Sequence, residues 1–390
     1  MSDDVTVCHV ITQLELGGAQ ENTLYTVGHL RPPFRPLLVC GRGGILDDEA
    51  RRALPEPPIF VPSLVRPIRP VRDLAALLSL YRIFRRTRPR IVHTHSSKAG
   101  ALGRLAARLA RVPIVVHSIH GYGFNDRQPA PLRSFLIILE RALAWITTHV
   151  IVVSRANLEQ GAALGIIPRS RATLIRSGIP IGAFESAGRD PALRGGAALR
   201  REIGADDRAP LVGMVACLKP QKSPLTFVEV AARAATAVPS ARFILAGDGE
   251  LRGAVLARVE SLGLRGRFHL LGWRRDIPTI MAALDVLVLT SLWEGLPKVL
   301  PEAIATGVPI VATAVDGTLD ILKDGETGFV CRPNDLEGLV ERVVGLLRNP
   351  RLGRAAAERA RAVLLEFDID AMVRAQESLY RELLVAAGSR

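Results

Sequence analysis

The sequence is poor in aromatic residues and in cysteine. Phe, Trp and Tyr make up 5% of its 390 residues and no nucleic-acid recognition motif accompanies them, so nucleic acid is not an expected partner. Four cysteines are scattered without metal-ligand or disulfide spacing, which is typical of a cytosolic protein with reduced thiols. They are Cys8, Cys40, Cys217 and Cys331.

The sequence also has no long apolar run. No stretch approaches the roughly 20 apolar residues that span a bilayer. The longest candidate, residues 135–153, is interrupted by Glu140, Arg141 and His149. The chain begins Met-Ser-Asp-Asp without a basic region, so we expect no signal peptide. These absences predict a cytoplasmic protein.

Acidic residues are outnumbered, and the positive excess is concentrated in one segment. The formal net charge is +13, and residues 60–141 alone hold 15 basic residues against three acidic ones, a surplus of 12. Such a cluster suits nucleic acid, an anionic membrane surface or an acidic substrate. A membrane is favoured, because each basic residue near an anionic leaflet contributes about 1 kcal/mol. The arginines predicted to face it lie on two successive helices: Arg82, Arg85, Arg86, Arg88 and Arg90 at the end of one, and Arg104, Arg108 and Arg111 at helical spacing on the next.

Apolar strands alternate with helical segments along most of the chain. This order predicts parallel sheets with helices on both faces, and 390 residues suffice for two such domains. Residues 176–180 and a Gly- and Arg-rich stretch at 188–196 interrupt the alternation. We therefore predict an N-terminal domain over 1–185, a linker over 186–206 and a C-terminal domain over 207–367. A last helix is expected at about 368–390.

The segment 290–311, TSLWEGLPKVLPEAIATGVPIV, places two glutamates eight positions apart. Glu294 precedes a Gly-Leu-Pro break, Glu302 lies in the helix that follows, and an apolar strand comes before both. Ligands of open α/β sheets bind at the carboxyl ends of strands, and a helix N-terminus there favours an anion such as a diphosphate. Carboxylates accept hydrogen bonds from sugar hydroxyls. Glu294 is therefore predicted to bind a hydroxyl-rich group, and Glu302 two ribose hydroxyls.

This segment resembles the Glu-x7-Glu motif of the retaining glycosyltransferases of family 4, and the resemblance covers nearly the whole chain. It implies an α/β protein of the GT-B fold. Two Rossmann-like domains would face a central cleft, and the C-terminal helix would cross back to the N-terminal domain. It also implies that a sugar passes from a nucleotide diphosphate sugar to a hydroxyl acceptor with its anomeric configuration kept. Uridine diphosphate (UDP) is the expected nucleotide, and no metal or other cofactor is expected.

The basic segment falls in the domain that holds the acceptor in proteins of this family. Together with the resemblance, it favours a lipid-linked glycan acceptor in polysaccharide or glycoconjugate synthesis. The enzyme would then lie peripherally on the inner face of the cell membrane.

Two further segments resemble the parts of the family that bind the donor diphosphate. Gly17 and Gly18 match a loop whose backbone approaches the phosphates, where a side chain would be in the way. Lys222 falls on the phosphate-binding lysine of the family. Cys217 stands where the family usually has an arginine, which removes a bidentate phosphate ligand. Lys219 is expected to supply the lost charge.

The remaining donor residues follow from the same resemblance. Gly247 and Gly249 match a turn near the nucleotide, and Arg274 matches a loop that holds the base through backbone groups. The predicted donor-binding set is Gly17, Gly18, Lys219, Lys222, Gly247, Gly249, Arg274, Glu294, Gly295, Leu296, Pro297, Leu300 and Glu302.

His120 follows a strand in a glycine-bracketed loop and matches the family's cleft histidine, which lies against the transferred sugar. The predicted catalytic residues are therefore His120, Glu294 and Lys222. Lys222 would stabilise the leaving diphosphate, and Glu294 would orient the sugar.

The acceptor side is predicted to include His95, Lys98 and Tyr122. No metal site is predicted, because His93 and His95 have no acidic partner at ligand spacing.

Three other functions compete with this interpretation. A GT-B nucleotide-sugar epimerase or phosphorylase would share the cleft but not the Glu-x7-Glu segment. A non-catalytic scaffold subunit would keep the fold. Cys217 leaves this alternative open, whereas Glu294, Glu302 and Lys222 argue against it. A nucleic-acid-binding protein is supported only by the high isoelectric point.

Overall fold

The protein consists of two compact units, each with its own parallel sheet and apolar core. The computed structural model describes residues 4–193 and 196–388. Unit 1 comprises Met1–Gly178 and Ile369–Arg390, and unit 2 comprises Ile179–Asp368. The predicted pair of Rossmann-like α/β domains is confirmed.

Unit 1 alternates strands and helices from its first strand onward. Its strands are β1 (Val5–Ile11), β2 (Phe34–Cys40), β3 (Ile59–Phe60), β4 (Ile91–His95), β5 (Ile114–Ile119), β6 (His149–Val152) and β7 (Ala172–Leu174). Its helices before the chain leaves the unit are α1 (Gly18–His29), α2 (Asp47–Ala53), α3 (Pro70–Thr87), α4 (Ser97–Leu109), α5 (Ala130–Ala144) and α6 (Arg155–Ala163). A 3₁₀ turn covers Arg169–Arg171.

Unit 2 repeats the pattern. Its strands are β8 (Leu211–Val215), β9 (Arg242–Ala246), β10 (Phe268–Gly272), β11 (Val286–Leu289), β12 (Ile310–Thr313) and β13 (Phe329–Cys331). Its helices are α7 (Ile181–Arg189), α8 (Ala197–Glu202), α9 (Pro224–Ala237), α10 (Arg252–Ser261), α11 (Ile277–Ala283), α12 (Val299–Thr306), α13 (Leu336–Arg348) and α14 (Pro350–Ala360). Short 3₁₀ segments cover Pro220–Lys222, Asp316–Thr318 and Arg361–Phe367, and α15 (Ile369–Gly388) then returns to unit 1.

Both sheets are wound in the same way. Their strand orders are β3-β2-β1-β4-β5-β6-β7 and β10-β9-β8-β11-β12-β13, with parallel pairing throughout. In each sheet the order reverses beside the first strand, which makes the carboxyl ends of β1 and β4, and of β8 and β11, the places where ligands of such sheets bind. Predicted site residues follow all four of these strands: Gly17 and Gly18 follow β1, Lys98 follows β4, Lys222 follows β8 and Glu294 follows β11.

The chain passes between the units earlier than predicted. The division falls between residues 178 and 179, whereas the sequence places the boundary at 185 and a linker over 186–206. Helices α7 and α8 take up about half of that segment, and both pack against α11 of unit 2. The glycine at 188 reflects close packing, because a Cβ there would lie 2.4 Å from the Thr306 carbonyl oxygen. Residues 194–195 of the predicted linker lie outside the described residues.

The C-terminal helix belongs to unit 1, as predicted. In α15, Met372 and Tyr380 are buried in an apolar cluster with Val7 of β1 and Ile91 of β4. The Tyr380 hydroxyl lies 2.5 Å from His93 Nδ1. Among the described residues, no helix combines the length and the apolar character needed to cross a membrane.

Arg104 corrects one prediction about the basic segment. Helix α4 packs against both α3 and α5, so Arg104 is only 2% exposed. Its guanidinium lies 2.8 Å from a carboxylate oxygen of Glu140 in α5, and its Nε donates to the Gly100 carbonyl at 2.9 Å. Arg104 is therefore a core residue and does not face a membrane. Arg108 and Arg111 are exposed, and that they face a membrane stays a prediction.

Because the Arg104–Glu140 pair is buried, removing its glutamate should destabilise the protein more than removing the glutamate of an exposed pair. Glu140→Ala should lower the free energy of unfolding by about 3 kcal/mol, because it leaves a buried guanidinium without its counter-ion. Glu159→Ala is the matched control, since its pair with Arg169 is exposed and contributes at most about 1 kcal/mol. Urea titrations of the two variants measure the difference. Equal losses would show that burial of Arg104 has no energetic consequence.

Four strand histidines are buried inside unit 1: His9, His93, His95 and His117. Burial lowers the pKa of all four, and that of His9 falls to about 3 from an ordinary 6.5. Neighbouring histidines lower the pKa of His93 and His95 further, and Arg104 that of His117. These rings are therefore neutral in the folded protein at neutral pH.

Neutral buried histidines predict that unit 1 is sensitive to acid. Unfolded histidine takes up a proton near pH 6.5, whereas His9 does not in the folded state, so stability present above pH 6.5 is lost as the pH falls towards 3. Each such histidine contributes about 1.4 kcal/mol per pH unit in that window. Urea titrations at pH 7, 6 and 5 should show the loss. In His9→Phe, the free energy of unfolding should fall less steeply with pH, by the amount that one proton contributes. Equal stability at pH 7 and 5 would contradict this prediction.

Candidate active site

Two loops meet at the carboxyl edge of the unit 2 sheet. The loop after β8 carries Gln221 and Lys222, and the loop after β11 carries Thr290 to Glu294. Leu292 N–H donates to the Gln221 carbonyl at 2.8 Å, and Gln221 Nε2 donates to the Trp293 carbonyl at 3.0 Å. The Thr290 hydroxyl adds a bond to the Lys222 carbonyl at 3.0 Å. Three hydrogen bonds, each accepted by a backbone carbonyl, thus fix the two loops to each other.

Glu294 is held in place by three polar contacts. Its carboxylate forms an ion pair with Lys222 Nζ and accepts a hydrogen bond from the Ser291 hydroxyl at 2.5 Å. Its backbone N–H donates to Asp316 Oδ2 at 2.8 Å. The Glu294 side chain is 5% exposed and that of Lys222 is 20% exposed. The structure therefore joins two of the predicted catalytic residues in one fixed pair.

Helix α12 begins directly after this pair. Gly295, Leu296 and Pro297 are buried and lead into it, and Leu300 lies fully inside the core. Glu302 lies in the first turn and is half-buried. Within the described chain, no side chain caps this helix, so its N-terminal dipole is available to an anion. Both predicted glutamates thus lie near the start of one helix.

Gly247 and Gly249 are required by close packing between two loops. Their φ angles are +140° and +156°, in the region that favours glycine. A Cβ at these positions would lie 2.0 Å from the Ala216 carbonyl oxygen and 2.7 Å from that of Leu218. The turn after β9 is therefore pressed against the loop after β8. This contact accounts for both glycines structurally, and a ligand role for them stays a prediction.

The guanidinium of Arg274 is hydrogen-bonded to other side chains. It makes two hydrogen bonds to Asp276, at 2.8 and 2.6 Å, and one to Glu202 at 2.6 Å. These bonds raise its pKa, Asp276 contributing most. A contact of Arg274 with a nucleotide base would therefore use its backbone, as the sequence predicts.

Lys219 and Cys217 are half-buried in the loop after β8, where Lys219 N–H donates to the Cys217 carbonyl at 2.9 Å.

Sequence reasoning missed Asp316, which follows β12 and fixes the backbone of Glu294. Asp316 has a φ of +34°, uncommon for a residue with a side chain. The sequence signal was Val-Asp-Gly directly after an apolar strand.

In unit 1, Gly17 and Gly18 lie where β1 gives way to α1. Gly17 is the N-terminal cap residue and Gly18 the first residue of the helix. Both are half-buried, and among the described residues no side chain caps this terminus. The position agrees with an approach of backbone to phosphate, and that role stays a prediction.

His95 and His120 are brought together at the carboxyl ends of β4 and β5. His95 Nδ1 lies 3.2 Å from His120 Nε2, and His95 Nε2 lies 3.1 Å from His9 Nδ1. Burial lowers the pKa of His120 to about 4.

His9, His93 and His95 are close enough to share an ion. Five of their six ring nitrogens are already hydrogen-bonded, however, so a metal-free site remains the expectation.

Lys98 and Tyr122 have structural partners in unit 1. Lys98 Nζ lies 2.5 Å from Asp73 Oδ1, and both side chains are mostly buried. The Tyr122 hydroxyl donates to the Asn157 carbonyl at 3.1 Å, and burial raises its pKa. Tyr122 also stacks on Phe124, with ring centroids 4.8 Å apart. These contacts give both residues a structural role that does not require an acceptor substrate.

Family models match both units. The model of glycosyltransferase family 4 matches residues 16–182, and that of glycosyl transferases group 1 matches residues 197–363. The chain is 32% identical over 389 residues to the Escherichia coli UDP-Gal:alpha-D-GlcNAc-diphosphoundecaprenol alpha-1,3-galactosyltransferase, covering 98% of each protein.

Solved structures share the fold. The Anabaena protein HepE in complex with UDP and glucose superposes with a TM-score of 0.83 at 20% identity, covering 97% of this chain and all of that one. WaaG, a glycosyltransferase involved in lipopolysaccharide biosynthesis, gives a TM-score of 0.74 at 18% identity, covering 96% and 99%. With the full-length relative and the two family models, these likenesses lead to one conclusion: the chain belongs to glycosyltransferase family 4 and is a glycosyltransferase of the GT-B fold.

Proposed function

We propose that the protein transfers a sugar from a UDP-sugar to a hydroxyl group of a lipid-linked glycan and retains the anomeric configuration. The observation that carries this proposal is the Lys222–Glu294 pair beside the N-terminus of α12. It combines a cation and a helix dipole for a diphosphate with a carboxylate for sugar hydroxyls. The E. coli relative, which by its name uses UDP-galactose and a diphosphoundecaprenol-linked acceptor, supports the same substrate classes.

The chemistry follows from the charges at this edge of the sheet. Breaking the anomeric bond leaves negative charge on the diphosphate and an oxocarbenium-like sugar. Lys222 and the N-terminus of α12 would stabilise the diphosphate, with Lys219 as a second cation. Glu294, fixed by Lys222 and Ser291, would orient the sugar hydroxyls, and Glu302 would bind the ribose. Because lysines supply the positive charge, no metal ion is required.

Retention would result from attack on the same face that the diphosphate leaves. The leaving phosphate oxygen would take the proton of the acceptor hydroxyl, so no protein base has to be assigned. His120 of unit 1 would lie against the transferred sugar. This role is taken from the family resemblance and from its place after β5.

A lipid-linked acceptor suits one surface of unit 1, the exposed faces of α3, α4 and α5. These three helices pack side by side. Their exposed apolar residues are Val71, Leu74, Leu78, Leu105, Leu109, Leu132, Phe135 and Ile138, with Trp145 just beyond α5. Exposed arginines lie on the same helices and at their ends. Apolar and cationic side chains together are suited to the interface of an anionic membrane.

The donor site predicts different effects of its two glutamates. Glu302→Gln should weaken binding of bare UDP about 10-fold or more, because a hydrogen bond to a charged group contributes ~1.5–3 kcal/mol. Glu294→Gln should leave UDP binding unchanged and weaken the UDP-sugar by a similar factor. Calorimetry with UDP and with its sugars measures both, and Glu341→Gln on the exposed face of α13 is the control. If neither UDP nor any UDP-sugar binds the wild-type protein, the proposed donor is wrong, and a scaffold is then the better interpretation.

The membrane surface predicts salt-dependent binding to vesicles. Replacing Arg85, Arg108 and Arg111 by Gln should weaken binding to phosphatidylglycerol vesicles about 100-fold at low salt, since each contributes about 1 kcal/mol. Wild-type binding should fall as salt rises, because the Debye length shrinks from about 10 Å at 0.1 M to about 3 Å at 1 M.

The matched control replaces three exposed arginines of unit 2, Arg265, Arg351 and Arg354, and should bind vesicles like the wild type. Sedimentation measures all three proteins. Equal binding to phosphatidylcholine and phosphatidylglycerol vesicles would contradict a cationic docking surface.

A further inference from the structure

Three histidines of unit 1 form one hydrogen-bonded chain. His9 Nδ1 lies 3.1 Å from His95 Nε2, and His95 Nδ1 lies 3.2 Å from His120 Nε2. Among the described residues, the two outer nitrogens of this chain, His9 Nε2 and His120 Nδ1, have no hydrogen-bond partner. The chain therefore begins and ends at atoms without a partner in the described part of unit 1.

The protons in this chain must all be arranged in the same direction. Burial keeps the three rings neutral, so each carries one N–H and one lone pair. Two hydrogen bonds between three such rings allow only two arrangements. In one, His9 donates to His95 and His95 donates to His120, which leaves the proton of His120 on Nδ1. In the other, every bond is reversed and the outer N–H is on His9 Nε2.

The surroundings of the two ends favour the first arrangement. His9 is fully buried in the sheet, and an N–H on its Nε2 would have no acceptor, which is costly. His120 is half-buried and lines a cavity of about 20 Å³, enough for one water molecule. The same cavity is lined by Asn22 and by Gln376, whose Oε1 also has no partner among the described residues. A donor is therefore better placed at His120 than at His9.

We propose that His9 and His95 are positioning residues that fix His120 as its Nδ1–H tautomer, so that His120 presents an N–H donor. His9 and His95 do not touch the reacting groups themselves. In the free protein a water molecule in this cavity can accept the hydrogen bond. That a hydroxyl of the transferred sugar takes the place of this water rests on the proposed function. The tautomer itself rests only on the geometry of unit 1.

The tautomer is measured directly in the free protein. Ring ¹⁵N chemical shifts of protein labelled at the histidine imidazoles distinguish a protonated nitrogen from an unprotonated one. In the wild type at pH 7.5, we expect the proton of His120 on Nδ1 and those of His95 and His9 on Nδ1 as well. A proton on His120 Nε2 would overturn the proposal. This measurement needs no donor, acceptor or variant.

Variants at the far end of the chain test the coupling. His9→Phe removes the donor to His95 Nε2, so His120 should become a mixture of its two tautomers although it is not itself changed. His9→Asn restores an amide N–H at the place of Nδ1 and should restore the single tautomer. His149→Phe is the control and should leave His120 unchanged, because His149 lies in the same sheet and its ring is hydrogen-bonded to Thr173. An unchanged His120 tautomer in His9→Phe would also overturn the proposal.

Kinetics separate this inference from the proposed function. With a UDP-sugar and acceptor, His9→Phe should lower kcat about tenfold, the rate equivalent of one hydrogen bond, with little change in the KM of the donor. His9→Asn should recover most of that loss. If the wild type shows the Nδ1–H tautomer but no transfer from any nucleotide sugar, the proposed function fails and the tautomer chain stands. If transfer occurs and kcat does not follow the tautomer, the role of the chain in catalysis is rejected.

Discussion

The ion pair between Lys222 and Glu294 determines the arrangement of the donor edge in unit 2. The two residues come from loops 72 positions apart, and each loop also bonds to the backbone of the other. A carboxylate that is 5% exposed is costly to bury unless its charge and its lone pairs are satisfied. Lys222 supplies the charge and the Ser291 hydroxyl a further hydrogen bond. Because the cost is met within the folded chain, the carboxylate has its orientation before any ligand arrives.

This constraint extends to the elements around the pair. Asp316, on the loop after β12, holds the backbone of Glu294, and a Cβ at Gly317 would lie 2.1 Å from the Gly295 carbonyl oxygen. On the other side, Gly247 and Gly249 let the turn after β9 lie against the loop that leads to Lys222. Four strands thus contribute loops to one edge, and small changes in any of them would move the ion pair. The positions of the glycines and of Asp316 follow from this packing alone.

The fold and the donor segment could be predicted from sequence because they depend on local order. A strand, a loop with glycine or proline and a helix recur in both units, and Glu294 and Glu302 lie eight residues apart on one such segment. Arg104 could not be predicted in the same way. Helical spacing groups Arg104 with Arg108 and Arg111, but only the packing of α4 against α5 places Glu140 beside it. The contacts of Asp316 with Glu294 and of Tyr122 with Asn157 likewise join residues that are distant in the sequence.

The predicted linker fails for a related reason. The Gly- and Arg-rich stretch at 188–196 leads to the prediction of a linker over 186–206, yet α7 buries Gly188 and α8 buries Arg200 in unit 2. Arg200 is 4% exposed, bonds to the Ala209 carbonyl and pairs with Asp285. The composition of a segment indicates its structure in isolation. Here the contacts of Gly188 and Arg200 with unit 2 order a segment whose composition is typical of a linker. Arg104, Arg200, the four strand histidines and Glu294 share one feature: each has a hydrogen-bond or ion-pair partner that is distant in sequence. In this protein, some polar residues that the sequence suggests are surface or ligand residues instead form hydrogen bonds or ion pairs between neighbouring elements. A ligand role is best supported for a residue that has such a partner and also lies at the carboxyl edge of a sheet, as Lys222 and His120 do.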